Sequence, residues 1–201
     1  QGLDEMDKIA KETLDDTFRT ALSGDSKEYR ESSSSLMFAF ILAILLIYLI
    51  LAAQFESFKD PLIIMLTVPL AIAGALVFMY FGDITMNIFS QIGIIMLIGL
   101  VAKNGILIVE FAKQKQEAGE DKMSAIKDAA LQRLRPILMT SASTVLGLIP
   151  LAFASGEGAN QRIAMGTAVV GGMVVSTLLT MYIVPAIYSY ISTNRIKITK
   201  E

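Results

Sequence analysis

The sequence predicts an all-α transmembrane fold: five membrane-spanning helices behind a short polar head of mixed α/β character. Three observations carry that prediction. Five apolar stretches of about 20 residues or more are separated by polar connectors, and four of the five hold no charge at all. The 201-residue chain is 54% hydrophobic, with a mean hydropathy of +0.58, far above a soluble domain of this size. The remaining apolar stretch carries a lysine, Lys103, after about 19 uncharged residues that follow Asp83. At about 1.5 Å per residue each stretch crosses the ~30 Å hydrocarbon core. A buried helix of a soluble protein accounts for one such run, not for five in one short chain.

The head covers residues 1–35. Met6, Ile9, Ala10 and Leu14 recur at helical spacing. Thr17 to Leu22 reads as a short strand closed by Ser23-Gly24. Asp25 and Glu28 have capping-box spacing, so a helix starts there and runs into the first span. A head this short buries no core of its own. It reads as the last piece of an external domain. The chain opens on Gln1 and carries no cleavable signal peptide, which points to a piece of a longer polypeptide.

The first span is expected at about 36–55, within the uncharged run Ser32 to Phe55. Gln54-Phe55-Glu56-Ser57-Phe58 then makes a short turn with aromatic anchors at the interface. The second span is expected at about 61–81, and the third at about 86–112 with Lys103 inside it. A connector follows in which Met123, Ile126, Ala129, Ala130 and Leu134 space out an amphipathic helix at about 121–134 on the membrane surface. Pro136 fits the first turn of the fourth span, about 136–154. The fifth is expected at about 163–191, and residues 193–201 form a polar tail. Gly93, Gly99, Gly166, Gly171, Gly172 and Ser176 read as packing positions where neighbouring helices approach closely. Pro69, Pro150 and Pro185 kink their spans or sit near span ends.

Loop charge sets the orientation. The long connector holds Lys113, Lys115, Lys122, Lys127, Arg133 and Arg135, and the tail holds Arg195, Lys197 and Lys200. The loops at Gly82-Asp83 and Gly156-Glu157-Gly158 hold no lysine or arginine. The positive-inside rule therefore places connector and C-terminus in the cytoplasm and the head outside.

Composition excludes several functions. The chain has no cysteine and no histidine, so neither a disulfide framework nor an ordinary zinc site is expected. No metal and no cofactor is expected. No basic tract suggests nucleic acid. No nucleophile–base pair suggests an enzyme.

The charge inside the third span is the strongest functional signal. A charged side chain near mid-membrane costs at least ~2.5–3.5 kcal/mol and is usually kept for ion or proton handling. Lys103 lies ten residues from Lys113 at the inner end, or about 15 Å of helix. Its stem reaches only part of that distance. One reading is an interior lysine that pairs with carboxylates; the other is a lysine in a wet crevice that only holds helices together. Glu110 lies two turns on, near the interface, and reads as solvated or structural. In the fourth span Thr140 lies seven residues inside Arg133, about 10 Å deep. Antiparallel neighbours bring Lys103 and Thr140 to one level. Ser143 and Thr144 extend the Thr140 face. Such hydroxyls often bond their own helix carbonyls instead, so Thr140 is open to both readings.

Gln54-Phe55-Glu56-Ser57-Phe58, Val68-Pro69-Leu70, Ile98-Gly99-Leu100-Val101-Ala102-Lys103-Asn104, Arg133-Leu134-Arg135-Pro136-Ile137-Leu138-Met139-Thr140-Ser141 and Gly171-Gly172-Met173 occur in that order. Together they resemble the C-terminal transmembrane half of resistance–nodulation–division (RND) exporters of the AcrB/MexB multidrug type. The resemblance covers essentially the whole chain. The lysine–asparagine pair favours this branch over the metal-exporting branch. It implies a proton/drug antiporter of the Gram-negative inner membrane. It also implies a homotrimer that meets a periplasmic adaptor and an outer-membrane channel, with hydrophobic or amphiphilic substrates. Residue by residue, it implies that Lys103 is the essential lysine that pairs with two aspartates of the other half. It likewise implies that Thr140 is a relay threonine, that Arg133 sits at the cytoplasmic end of the relay, and that Asn104 belongs beside the lysine. One departure stands out: no Asp or Glu lies deep in these spans, so the aspartate pair is expected upstream. The rival readings are an exporter of lipids or other amphiphiles, and a membrane scaffold in which Lys103 is structural.

The orientation is testable by thiol labelling in full-length protein, against a segment free of native cysteine. Cysteines at Glu157 and Ser26 should react with impermeant reagents from outside sealed cells, and cysteines at Glu120 and Lys197 should not. Labelling at Glu120 from outside reverses the topology.

Overall fold

The computed structural model describes residues 2–14, 20, 21, 23 and 25–192. Its described residues form seven helices and no strand: α1 (Gly2–Thr13), α2 (Asp25–Phe55), α3 (Asp60–Met65), α4 (Thr67–Phe81), α5 (Ile88–Glu117), α6 (Lys122–Ala152) and α7 (Ala159–Ile191). Five segments are long and apolar enough to cross a membrane, with α3 and α4 making one of them. Of the strand expected at Thr17–Leu22 only Thr20 and Ala21 are among the described residues, and they carry no regular structure. The tail 193–201, with Arg195, Lys197 and Lys200, also lies outside them.

Three expectations about helix bounds and anchors change in the structure. The second span is not one helix but α3 and α4, parted at Leu66. Pro69 is the cause. It has no N–H to give the Met65 carbonyl, and its ring crowds that turn. The Thr67 hydroxyl donates to the Ile64 carbonyl at 2.7 Å and helps satisfy the break. The amphipathic helix and the fourth span, by contrast, are one helix. Pro136 sits in the middle of α6 rather than in a first turn. It deletes one backbone donor, the one that would reach Gln132, without ending the helix. Lastly, Phe55 is no interface anchor: it is 1% exposed, in the core, while Phe58 is exposed.

Local chemistry sets the helix ends. Asn87 caps α5, its side chain accepting from Ser90 N at 2.9 Å while Ser90 Oγ accepts from Asn87 N at 2.8 Å. That reciprocal pair satisfies two orphan donors. The α5–α6 turn is drawn together by Lys115, which pairs with Glu120 at 2.7 Å and Asp128 at 3.3 Å. Asp121 caps α6, accepting from Met123 N at 3.1 Å. Two lysines close neighbouring helices at the same end: Lys113 Nζ donates to the Phe55 carbonyl of α2 at 3.1 Å, and Lys122 Nζ to the Ser192 carbonyl behind α7 at 2.7 Å.

α7 is the hub, packed on α4, α5 and α6, while α2 packs mainly on α5 and α3. The hub exists because α7 presents small residues to its neighbours. A Cβ on Gly166 would lie 2.6 Å from the Ala152 backbone nitrogen, and one on Gly172 would lie 2.8 Å from the Ala71 carbonyl oxygen. Gly93 meets the Met165 carbonyl in the same way. Gly99 does not: a Cβ there has nothing within 4 Å, so it belongs to an open face and not to a contact within this chain. Two apolar clusters result. One, toward the α5–α6 turn, includes Leu51, Phe55, Ile108, Val109, Ile137, Val184 and Tyr188. The other, toward the α6–α7 turn, includes Ala71, Met79, Leu97, Val101, Val169 and Met173.

Gly166→Ala should destabilise the full-length protein by about 1–3 kcal/mol, because backbone rather than a flexible side chain meets the new methyl. Thermal unfolding in detergent measures this. An unchanged unfolding temperature contradicts the close approach.

Candidate functional site

Between the two apolar clusters lies a small polar seam. Asn104 comes from α5, Ser141 from α6 and Thr177 from α7; they are 2%, 5% and 4% exposed. The Asn104 amide donates to Ser141 Oγ at 3.2 Å and to Thr177 Oγ1 at 3.4 Å. The Thr177 hydroxyl donates to Ser141 Oγ at 3.1 Å. Three helices thus close a triangle of side-chain hydrogen bonds. A carboxamide buried without such partners costs about 1–3 kcal/mol, so the triangle constrains how the helices sit.

The triangle also places the residues singled out in the sequence. Lys103-Asn104 and Thr140-Ser141 are consecutive pairs, and consecutive helical residues point about 100° apart. In each pair one member turns in and the other turns out. Asn104 and Ser141 are buried and bonded to each other, whereas Lys103 and Thr140 lie exposed on the outside of the five-span packing. Since neighbours in a helix differ by about 1.5 Å in height, Lys103 and Thr140 stand at nearly one level. Lys103 continues an open stripe on α5 with Ile92, Met96 and Gly99, at helical intervals. Within this chain Lys103 therefore faces outward, not into the packing.

Thr140 Oγ1 donates to the Ile137 carbonyl at 3.1 Å, and Thr144 Oγ1 to the Thr140 carbonyl at 2.8 Å. The Thr140 proton is spent on its own helix, while its oxygen remains able to accept. Ser143 is exposed. Arg133 is not brought to Lys103. It sits seven residues along α6 toward the α5–α6 turn, with its guanidinium carbon 4.4 Å from the Phe111 ring centroid. Its Nε is buried without a hydrogen-bond partner. Glu110, on α5, is half-buried. Among the described residues no group of three or more Asp or Glu side chains is placed to hold a metal ion.

Reading the sequence did not single out Ser141 or Thr177 as site residues. A depth count contains the signal: in antiparallel spans the polar residues Asn104, Ser141 and Thr177 interrupt apolar runs at one height. Without knowing which faces meet, Ser141 is indistinguishable from Ser143, and Thr177 from Ser176.

Residues 1–192 match the family model described as the AcrB/AcrD/AcrF family. The chain is 42% identical over 196 residues to an uncharacterized transporter of Haemophilus influenzae, covering 94% of this chain and 19% of that protein. It is 40% identical over 192 residues to the toluene efflux pump membrane transporter TtgB of Pseudomonas putida, covering 96% and 18%. It is 39% identical over 186 residues to the multidrug resistance protein MdtC of Yersinia pseudotuberculosis, covering 92% and 18%. The chain thus spans about one fifth of the length of these relatives.

Proposed function

The chain belongs to the AcrB/AcrD/AcrF family, a family of RND efflux transporters, and on that premise we propose that it forms part of the proton-coupling membrane domain of a drug and amphiphile exporter. The observation that carries the reading is the placement of Lys103. It is a mid-span cation on an open helix face, level with a hydroxyl, and no Asp or Glu of these spans lies at its depth. A charge held there at a cost of at least ~2.5–3.5 kcal/mol calls for an anionic partner from outside the chain.

The coupling follows from charge pairing. Carboxylates supplied by the remainder of the subunit hold Lys103 while they are ionised. Protonation from the outer side removes the attraction, and the ammonium turns to the next acceptor at its level, the Thr140 oxygen. That shifts the population between two helix arrangements. Arg133, just before the apolar part of α6 on the side of the α5–α6 turn, lies toward the exit side. A proton crossing 100 mV brings ~2.3 kcal/mol, enough to bias such an equilibrium by more than tenfold. The full subunit is a homotrimer in the inner membrane, with connector and C-terminus in the cytoplasm. Its partners are a periplasmic adaptor and an outer-membrane channel. The names of TtgB and MdtC, a toluene pump and a multidrug resistance protein, support apolar and amphiphilic cargo.

Lys103→Ala in the full-length subunit should abolish efflux while trimers still assemble. Lys103→Arg should also fail largely, because the planar guanidinium does not replace a compact ammonium. Drug accumulation in cells expressing equal amounts of each protein measures both. Normal efflux by the alanine variant removes Lys103 from the coupling.

Thr140→Ala should lower efflux more than Ser143→Ala, and Thr140→Ser should retain more activity than Thr140→Ala. Equal rates for the two Thr140 variants reduce this residue to packing.

A further inference from the structure

We propose that Ser141 and Thr177 are positioning residues for proton coupling: with Asn104 they form a lock that sets the height of Lys103 on α5 against Thr140 on α6. The proposal rests on the reading of Lys103 given above. It adds two residues that touch no proton-carrying group.

The geometry carries the argument. Each of the two pairs, Lys103-Asn104 and Thr140-Ser141, spends its inward member on the lock and presents its outward member on the open surface. Sliding α5 along α6 by one residue's rise, about 1.5 Å, across the 3.2 Å bond between Asn104 and Ser141 would lengthen it to about 3.5 Å, the edge of hydrogen-bond range. Apolar packing also resists such a slide, but it is non-directional and does not by itself select which residues stand level. A directional bond in a buried seam resists it strongly. Thr177 makes the lock three-sided. It donates to Ser141 and accepts from Asn104, so α7, the hub of the packing, holds both partners at once. Inside a bilayer no water competes for these groups.

The charged groups around the lock are few. α5 contributes Lys103 and Glu110, α6 contributes Arg133, and α3 contributes the buried Asp60, one turn before Ile64, which packs at Gly105; α2, α4 and α7 place no Asp, Glu, Lys or Arg at this depth. Of these, Lys103 is the group adjoining the lock in sequence, and the lock acts on coupling through its position. A loosened lock weakens the hold of Lys103 on its carboxylate partners. Their proton affinity rises, because an opposite charge nearby is what depresses it. The half-point of proton-driven transport should then move to higher pH.

α7 supplies its own control. Thr180 Oγ1 is buried one turn from Thr177 and has no hydrogen-bond partner. Removing that hydroxyl breaks no bond.

The test uses the full-length subunit in proteoliposomes, with proton-driven drug transport followed as a function of pH. Lys103→Ala is run first: if it transports normally, the coupling reading itself fails. With Lys103→Ala inactive, Thr177→Val and Ser141→Ala should each slow transport about three- to tenfold. Each should move the pH of half-maximal transport upward by about half a unit. Thr177→Ser should restore both rate and profile. The double variant should be no worse than the poorer single, as for residues that act as one unit. Thr180→Val should behave as the parent. A Thr177→Val protein with the parent pH profile overturns the lock, whether its rate is unchanged or falls only with the amount of folded protein.

Discussion

A carboxamide inside a membrane helix bundle must find partners among side chains, because its own backbone is already bonded and no water is at hand. Asn104 meets that requirement across two other helices. The rest of the arrangement depends on it. Asn104 turns inward, so Lys103 must turn outward. Ser141 receives the amide, so Thr140 must face away from the seam. The outward placement of Lys103 is thus a by-product of satisfying its neutral neighbour. This is a cheap way to hold a charge without burying it among apolar groups, where it would be neutralised or expelled.

The two apolar clusters support the seam from either side. Glycines on α7 bring α4 and α6 within backbone contact, and large side chains fill both ends. Close approach makes the directional bonds possible: a Cβ on Gly172 or Gly166 would force the neighbouring helix outward. Packing and polarity are therefore not separate layers of this structure. The first sets the spacing that the second requires.

Much of the architecture was legible in the sequence, and for clear reasons. Apolar runs longer than the hydrocarbon thickness identify spans regardless of tertiary context, so all five were found. The glycines of α7 were assigned to packing, and the structure puts them there. Boundaries were less legible where proline was involved. Pro69 parts α3 from α4 with only Thr67 polar beside the break, while Pro136 leaves α6 continuous. Whether a proline breaks its helix depends on the surrounding packing, which a single sequence does not display. Lys103 and Thr140 draw attention in the sequence because one is charged in an apolar run and both lie in motifs. Ser141 and Thr177 were not, because a hydroxyl acquires meaning only once its opposite face is known.

α2 is a single helix of 31 residues, of which Ser35–Phe55 is the apolar part. It contains neither glycine nor proline. Its last carbonyl is gripped by Lys113 of α5, the helix that also carries Lys103. At about 1.5 Å per residue it is about 46 Å long, half as long again as the hydrocarbon is thick. It thus behaves as a drive shaft with no universal joint. Without a glycine or proline it has no built-in hinge, so its apolar part and the ten residues beyond it form one continuous rod.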